Sequence, residues 1–104
     1  MTMNGKRLPV QSDGSPTWPE NPGDYCGPVM GHSGDKPAVF FLLPNARDEG
    51  VHPRERALHH VTMPPHVFTE EPDGSLTITA SILSVLPEGN GWHGYLTAGK
   101  WVGA

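Results

Sequence analysis

The sequence is poor in cysteine, in long apolar runs and in positive charge, and each shortage excludes a class of protein. Cys26 is the single cysteine of 104 residues, so an internal disulfide framework is excluded. The longest apolar run, residues 38–43, is far shorter than the roughly 18 to 20 residues of a membrane helix. No apolar stretch follows the basic pair Lys6-Arg7, which argues against a secretory signal. We therefore expect a protein of the bacterial cytoplasm that makes no membrane contact.

The charge balance argues against nucleic acid as a partner. Seven Lys and Arg stand against eleven Asp and Glu, which gives a net charge of −4 at neutral pH. Proteins that bind duplex nucleic acid normally present a basic face that displaces counterions from phosphates, whereas the basic residues here are scattered. An acidic surface would instead suit a basic protein partner.

The second part of the chain predicts strands. Residues 38–43 form a compact apolar run stopped by Pro44-Asn45, which is typical of a strand buried on both faces. Residues 76–82 alternate apolar and hydroxyl side chains with a period of two, which is typical of a strand with one buried face. The apolar phase then shifts at Leu83, and we expect a bulge near Ile82-Leu83 to absorb the extra residue.

Turn residues divide the rest of this part into further short strands. Residues 59–63 and 67–69 are candidate strands, and residues 71–74 form a turn in which proline presets φ and glycine accepts a positive φ. Residues 92–102 predict a terminal hairpin around Ala98-Gly99. No amphipathic helical stretch is present. The sequence predicts an all-β fold, either a small antiparallel sandwich or a partly open roll, with a surface loop at residues 46–58.

The first 37 residues differ in composition from the rest. They contain six prolines and only eight large apolar residues, against 22 such apolar residues in the remaining 67 positions. Proline at this spacing removes backbone donors too often for a helix or a central strand. We expect residues 1–37 to form a Pro/Gly-rich arm packed on an antiparallel β domain at residues 38–104. The expected anchors are Trp18, Tyr25, Val29 and Met30.

Histidine is the one chemically versatile residue in surplus, with six copies. Neutral imidazole is both a metal ligand and a proton acceptor near neutral pH. No histidine spacing matches a zinc motif, and adjacent His59 and His60 would point to opposite faces of a strand. The alternative is that the histidines hydrogen-bond in loops and on strand faces, so no cofactor is predicted. The residues that would hold an ion if several converged are Cys26, His32, His60, His66 and His93.

Signals for covalent catalysis and for phosphate binding are missing. Cys26 would act as a nucleophile only beside a base, and the usual fate of such a cysteine is burial. The serines lack a Gly-x-Ser-x-Gly elbow, and residues 31–34 lack the Lys-Ser/Thr and the helix of a phosphate loop. The sequence favours a protein without a catalytic residue.

The most distinctive segment is the aromatic stretch at residues 91–96. Strand alternation would send Trp92 to one face and His93 with Tyr95 to the other. Rings with an apolar body and a polar tip bind ligands or protein partners. The predicted binding residues are Trp92, His93, Tyr95 and Trp101. Alternatively, the two tryptophans pack the core and Tyr95 covers its edge.

Several short motifs resemble those of small uncharacterised proteins of tailed phages and prophages. These motifs are residues 36–45, 65–68, 72–82 and 91–101. From about residue 24 onward, the chain is also similar to a wider family of unknown function that ends in an aromatic hairpin of the Trp-His-Gly-Tyr-Leu type. Members of that family carry a cysteine cluster suited to zinc, whereas this chain has only Cys26. The resemblance implies a phage or prophage origin and no established activity.

Three functional hypotheses follow. The first is a non-catalytic phage or prophage accessory protein that binds a host or phage protein or forms a homo-oligomer. The second is a His-based metal-dependent enzyme or small-ligand binder. It would gather His93 and Tyr95 with His60 or His66 and a carboxylate such as Glu70 in one pocket. The third is a minor virion component whose proline-rich arm laces onto a neighbouring subunit.

Overall fold

The computed structural model describes residues 2–45, 58–84 and 92–104. Within these ranges the secondary structure consists of nine strands, and no helix occurs. The strands are β1 (Thr2–Asn4), β2 (Arg7–Leu8), β3 (Tyr25–Ser33), β4 (Lys36–Leu42), β5 (Leu58–Thr62), β6 (Val67–Glu70), β7 (Leu76–Ser84), β8 (Trp92–Thr97) and β9 (Lys100–Gly103). The predicted all-β class is confirmed. Of the loop predicted at residues 46–58, residues 46–57 lie outside the described residues, and Leu58 is the first residue of β5.

The strands form two sheets that pack face to face. The five-stranded sheet has the order β1-β9-β8-β7-β6 and is antiparallel throughout. The four-stranded sheet has the order β2-β3-β4-β5 and is mixed, because β2 runs parallel to β3. The main core lies between the sheets and draws residues from both, including Phe41 of β4 and Trp101 of β9. This arrangement is a small β-sandwich.

Strand β4 is buried on both faces, as its continuous apolar run predicts. Val39 and Phe41 face the main core. Ala38 and Phe40 face the other way, into a second apolar cluster that is covered by Trp18. The Trp18 ring meets the Phe40 ring edge-on, with centroids 5.0 Å apart. Each large side chain buried in this way contributes about 1.5 to 3 kcal/mol, so β4 is the strand on which both apolar layers depend.

Strand β7 departs from the sequence prediction at its second half. Between Ile78 and Ile82, β7 advances four residues while its partner β8 advances two. Two extra residues preserve the alternation, so Ile82 stays buried and Leu83 points outward with 70% of its surface exposed. The bulge predicted near Ile82-Leu83 is therefore present as an irregularity a few residues earlier, between Ile78 and Ile82, with two extra residues instead of one. The irregularity includes Ala80, whose φ is 74°.

Residues 2–37 contribute strands to both sheets, which corrects the expectation of an arm without a central strand. β1 pairs with β9, and β3 lies between β2 and β4. β3 accommodates its proline because Gly27-Pro28 falls at a register shift between Cys26 and Val29. A bulge is one of the few places where a sheet tolerates a missing backbone donor. The β3–β4 hairpin spans the boundary that the sequence suggested at residue 37.

The residues between β2 and β3 cover the outside of the four-stranded sheet. Trp18 packs there, and the Cys26 thiol donates a hydrogen bond to the Pro9 carbonyl at 3.5 Å. Of the expected anchors, Tyr25 and Val29 are each 1% exposed. Met30 is 58% exposed and anchors nothing, because it occupies the solvent side of β3.

Candidate functional site

Strand β8 alternates strictly between core and solvent, as its sequence predicts. Trp92, Gly94 and Leu96 are buried, whereas His93 and Tyr95 are exposed. β8 is also the central strand of the five-stranded sheet. The two exposed rings therefore stand at the middle of the sheet's outer face.

The two predicted tryptophans lie in the core and are not available to a partner. Trp101 is fully buried, and its indole Nε1 donates a hydrogen bond to the Gly23 carbonyl at 2.8 Å. Trp92 is 7% exposed and meets Trp101 edge-on, with ring centroids 5.5 Å apart. The alternative interpretation, core packing, describes both residues. The predicted binding set is thus reduced to His93 and Tyr95, whose role remains a prediction.

Two further residues extend these rings into a continuous surface. Leu83 on β7 pairs directly with His93, and Tyr95 pairs directly with Val102 on β9. Directly paired side chains lie about 5 Å apart and diagonal neighbours about 7 to 8 Å apart, so the four form one stripe across three strands. We call Leu83, His93, Tyr95 and Val102 the outer-face patch. Leu83 is 70% exposed and Tyr95 is 43% exposed.

The position of Val102, one of the two residues that extend the patch, could be predicted from the sequence. The two-residue turn Ala98-Gly99 fixes the register of the terminal hairpin, and that register places Val102 opposite Tyr95. Leu83 carries no comparable signal, because its direction depends on the number of extra residues in the β7 irregularity.

The outer face of the five-stranded sheet carries little charge. Among the described strand residues that share this face, Lys100 is the only Lys, Arg, Asp or Glu, and threonine is the most frequent of the others. The threonines are Thr2, Thr69, Thr77, Thr79 and Thr97. None of the seven Asp and Glu among the described residues is a strand residue of this face.

Glu70, the carboxylate that the enzyme hypothesis placed in a pocket, instead forms a contact between the two sheets. Both of its oxygens accept hydrogen bonds from Arg7, at 2.9 and 2.5 Å. Arg7 also donates to the carbonyls of Gly27 and Gly74. The hydrogen bonds from Arg7 lower the pKa of Glu70, and the same pair raises the pKa of Arg7. Glu70 thus stays ionised and serves as a clamp between β2 and β6.

The described histidines are dispersed over the molecule. His60 lies on the outer face of the four-stranded sheet, with its ring 5.4 Å from that of Phe40. His59 points the opposite way and stacks on Phe41 at 6.4 Å, which confirms the expected alternation. Burial, and secondarily the neighbouring His60, lowers the pKa of His59. His60 and His93 therefore face opposite sides of the sandwich.

His66 makes a separate local contact in the connection between β5 and β6. Its Nε2 lies 3.2 Å from the Ser81 carbonyl oxygen, and its buried Nδ1 has no hydrogen-bond partner among the described residues. The His66 ring thus contacts β7 of the five-stranded sheet, whereas the His60 ring contacts Phe40 of the four-stranded sheet.

The candidate metal ligands do not converge in the described part of the chain, where no three His, Cys, Asp or Glu side chains are grouped closely enough to hold an ion. Cys26 is fully buried, and burial raises the pKa of its thiol. The side chain of His32 and the whole of His52 lie outside the described residues.

Comparison with known proteins yields no relative. No family model, no curated protein and no solved structure matches the chain. The resemblance to phage proteins therefore stays a prediction. In the described ranges, no helix is long and apolar enough to cross a membrane.

A cleft of about 360 Å³ lies on a different surface, formed mainly by the residues between β2 and β3. Its lining includes no histidine, and its charged groups are Lys6, Glu20 and Asp24. Asp24 is 6% exposed, and its carboxylate accepts a hydrogen bond from the Asn21 backbone N–H at 3.2 Å. This carboxylate supports the local turn. The cleft does not contain the constellation predicted for an enzyme.

Proposed function

We propose that this chain is a non-catalytic accessory protein that acts by binding a protein partner through the outer-face patch. The single observation that carries the proposal is the concentration of exposed apolar side chains on the outer face of the five-stranded sheet, to which the patch belongs. Five large apolar side chains of the described residues are exposed, and three of them, Val67, Leu83 and Tyr95, lie on the outer face of the five-stranded sheet. Apolar groups gathered on one face are a feature of interaction surfaces.

The composition of the patch also supports binding rather than chemistry. Tyrosine, histidine and leucine provide apolar area with two polar tips, and the surrounding threonines offer hydroxyl groups for hydrogen bonds. Among the described residues, no Asp, Glu or second histidine is paired with His93, whose strand neighbour on β7 is Leu83. A lone imidazole beside a leucine has no partner for acid-base work.

A phage or prophage origin and action in the host cytoplasm belong to the same proposal. Their support is the motif resemblance, above all the Trp92–Leu96 stretch that supplies His93 and Tyr95 to the patch. A virion role draws less support, since it invoked a free arm and β1, β2 and β3 are strands of the two sheets.

The binding role is tested by comparing three immobilised proteins in a bacterial lysate. The patch variant combines Leu83→Ser with Tyr95→Ser. The matched control is Met30→Ser, which removes an apolar side chain of similar exposure from another surface. We expect a protein that is retained by the wild type and by the control but is lost from the patch variant.

The retained protein is then purified and its binding to the three variants is measured by calorimetry. The patch variant should bind at least about tenfold more weakly than the control, since truncating two central contacts typically costs more than about 1.4 kcal/mol. Equal retention of the same proteins by all three, or retention of none together with a chain that does not self-associate, would contradict the proposal.

A further inference from the structure

We infer that the partner of the outer-face patch is a second copy of this chain, so that two five-stranded sheets pack outer face to outer face. The inference rests on the proposed binding role of the patch and names its occupant. The observations that point to a second copy are the charge of the face, the order of its apolar residues and its central position in the sheet.

The charge of the outer face favours a second copy of this chain as the partner. With a net charge of −4, two copies repel each other on average. On the outer face of the five-stranded sheet the described strand residues carry only Lys100, so two such faces meet without opposing carboxylates. A partner of opposite charge would be recognised by a charged face, and this face offers no set of charges to match it. A face with a single charged strand residue fits a second face of the same kind.

The order of the apolar residues is compatible with two-fold symmetry. The patch runs from Leu83 on β7 through His93 and Tyr95 on β8 to Val102 on β9. A two-fold axis near Tyr95 would place Leu83 of one copy over Val102 of the second copy, and the reverse. The two Tyr95 rings would then meet at the axis. Each apolar end of the stripe thereby covers the other.

The position and size of the face set the strength of the contact. The patch occupies the central strand and its two neighbours, and interface residues that dominate binding cluster near the centre. Five strands spaced about 4.8 Å apart and about 20 Å long present roughly 500 Å² in projection. Two such faces together fall below the usual total of roughly 1,600 Å², so we expect a concentration-dependent dimer with micromolar affinity.

Sedimentation velocity of the purified chain from about 5 to about 500 µM tests the inference. We expect the mass to rise from 11.2 kDa towards twice that value. The dimer should not weaken between about 0.15 M and about 1 M NaCl, since an interface without ion pairs gains nothing that salt screens. Leu83→Lys should remain monomeric at every concentration, whereas Met30→Lys should dimerise like the wild type. Tyr95→Lys gives a second, independent disruption, and circular dichroism confirms that each variant is folded.

Three results of these sedimentation experiments would overturn the inference. A wild type that is monomeric at the highest concentration overturns the inference, as does a dimer that survives both Leu83→Lys and Tyr95→Lys. A dimer that dissociates in high salt overturns it too, because its interface would then be charged. These results are separable from the proposed function, since capture of another protein that depends on the patch can hold while the chain is monomeric.

Discussion

The indole ring of Trp92 lies over Gly94 on the same strand. A Cβ atom at position 94 would stand 2.6 Å from Cζ2 and Cη2 of that indole, and closer still to the carbonyl oxygen of Val102. Non-bonded heavy atoms do not approach that closely. Glycine therefore lets Trp92 turn into the core while β8 remains paired with β9, and this keeps His93 and Tyr95 on the opposite face.

Gly94→Ala should consequently destabilise the protein. The added methyl group must displace a buried indole or separate β8 from β9, and such overpacking costs about 1 to 3 kcal/mol. For a domain of this size we expect the melting temperature to fall by about 4 to 8 °C for each kcal/mol. Urea unfolding measures the change, with Thr97→Ala, on the exposed face of the same strand, as the control. Equal stability of the two variants would contradict the close contact.

Local patterns predicted the features that depend on neighbours in sequence. The alternation of β8 and the turn at Ala98-Gly99 follow from a period of two and a two-residue loop, and both are confirmed. The alternation placed His93 and Tyr95 on one face but left open whether Trp92 and Trp101 line a site or the core. Only the packing of the second sheet decides that question.

Features set by pairing over long distances could not be predicted in this way. Leu83 points outward because β7 gains two residues against β8 between Ile78 and Ile82. The sequence indicated an irregular strand but gave neither that position nor the number of extra residues. The prolines of the first 37 residues suggested an arm, yet Gly27-Pro28 sits at a register shift that lets β3 occupy the interior of a sheet.

The clamp between Arg7 and Glu70 predicts a pH-dependent contribution to stability. Hydrogen bonding to Arg7 lowers the folded-state pKa of Glu70 below its ordinary value of 4.5. The contribution is therefore fully present above that value and is lost as the pH falls through the lower folded-state pKa. Glu70→Gln should reduce the free energy of unfolding at neutral pH by about 0.5 to 1 kcal/mol, because Glu70 is largely exposed.

The difference between wild type and Glu70→Gln should shrink in acid, where the wild-type carboxylate is protonated. Urea unfolding at neutral pH and in acid measures it. Glu71→Gln removes the same charge one residue away, outside the hydrogen bonds of Arg7, and should have a smaller effect. A Glu70→Gln penalty that is independent of pH would contradict an ionic clamp.

Cys26 should be chemically inert in the folded protein. It is fully buried, and burial raises its pKa above the ordinary value of 9.0, so the thiol is protonated at neutral pH. Reaction with a thiol-specific disulfide reagent should be at least about a thousandfold slower than in denaturant, since it requires opening of the structure. Comparable rates in the two conditions would show an accessible thiol.

A substitution at the first position of the β8–β9 turn should stabilise the protein. Ala98 and Gly99 have φ values of 48° and 76°, the pattern of a two-residue turn that favours asparagine followed by glycine. A positive φ costs alanine about 1 kcal/mol, and asparagine tolerates this conformation better. Ala98→Asn should therefore raise the free energy of unfolding by about 0.5 to 1 kcal/mol while retaining the backbone N–H bond to Thr77. Ala98→Val should lower the free energy of unfolding, because a β-branched residue resists positive φ. Urea unfolding measures both variants. Equal stability of Ala98→Val and Ala98→Asn would refute the turn assignment.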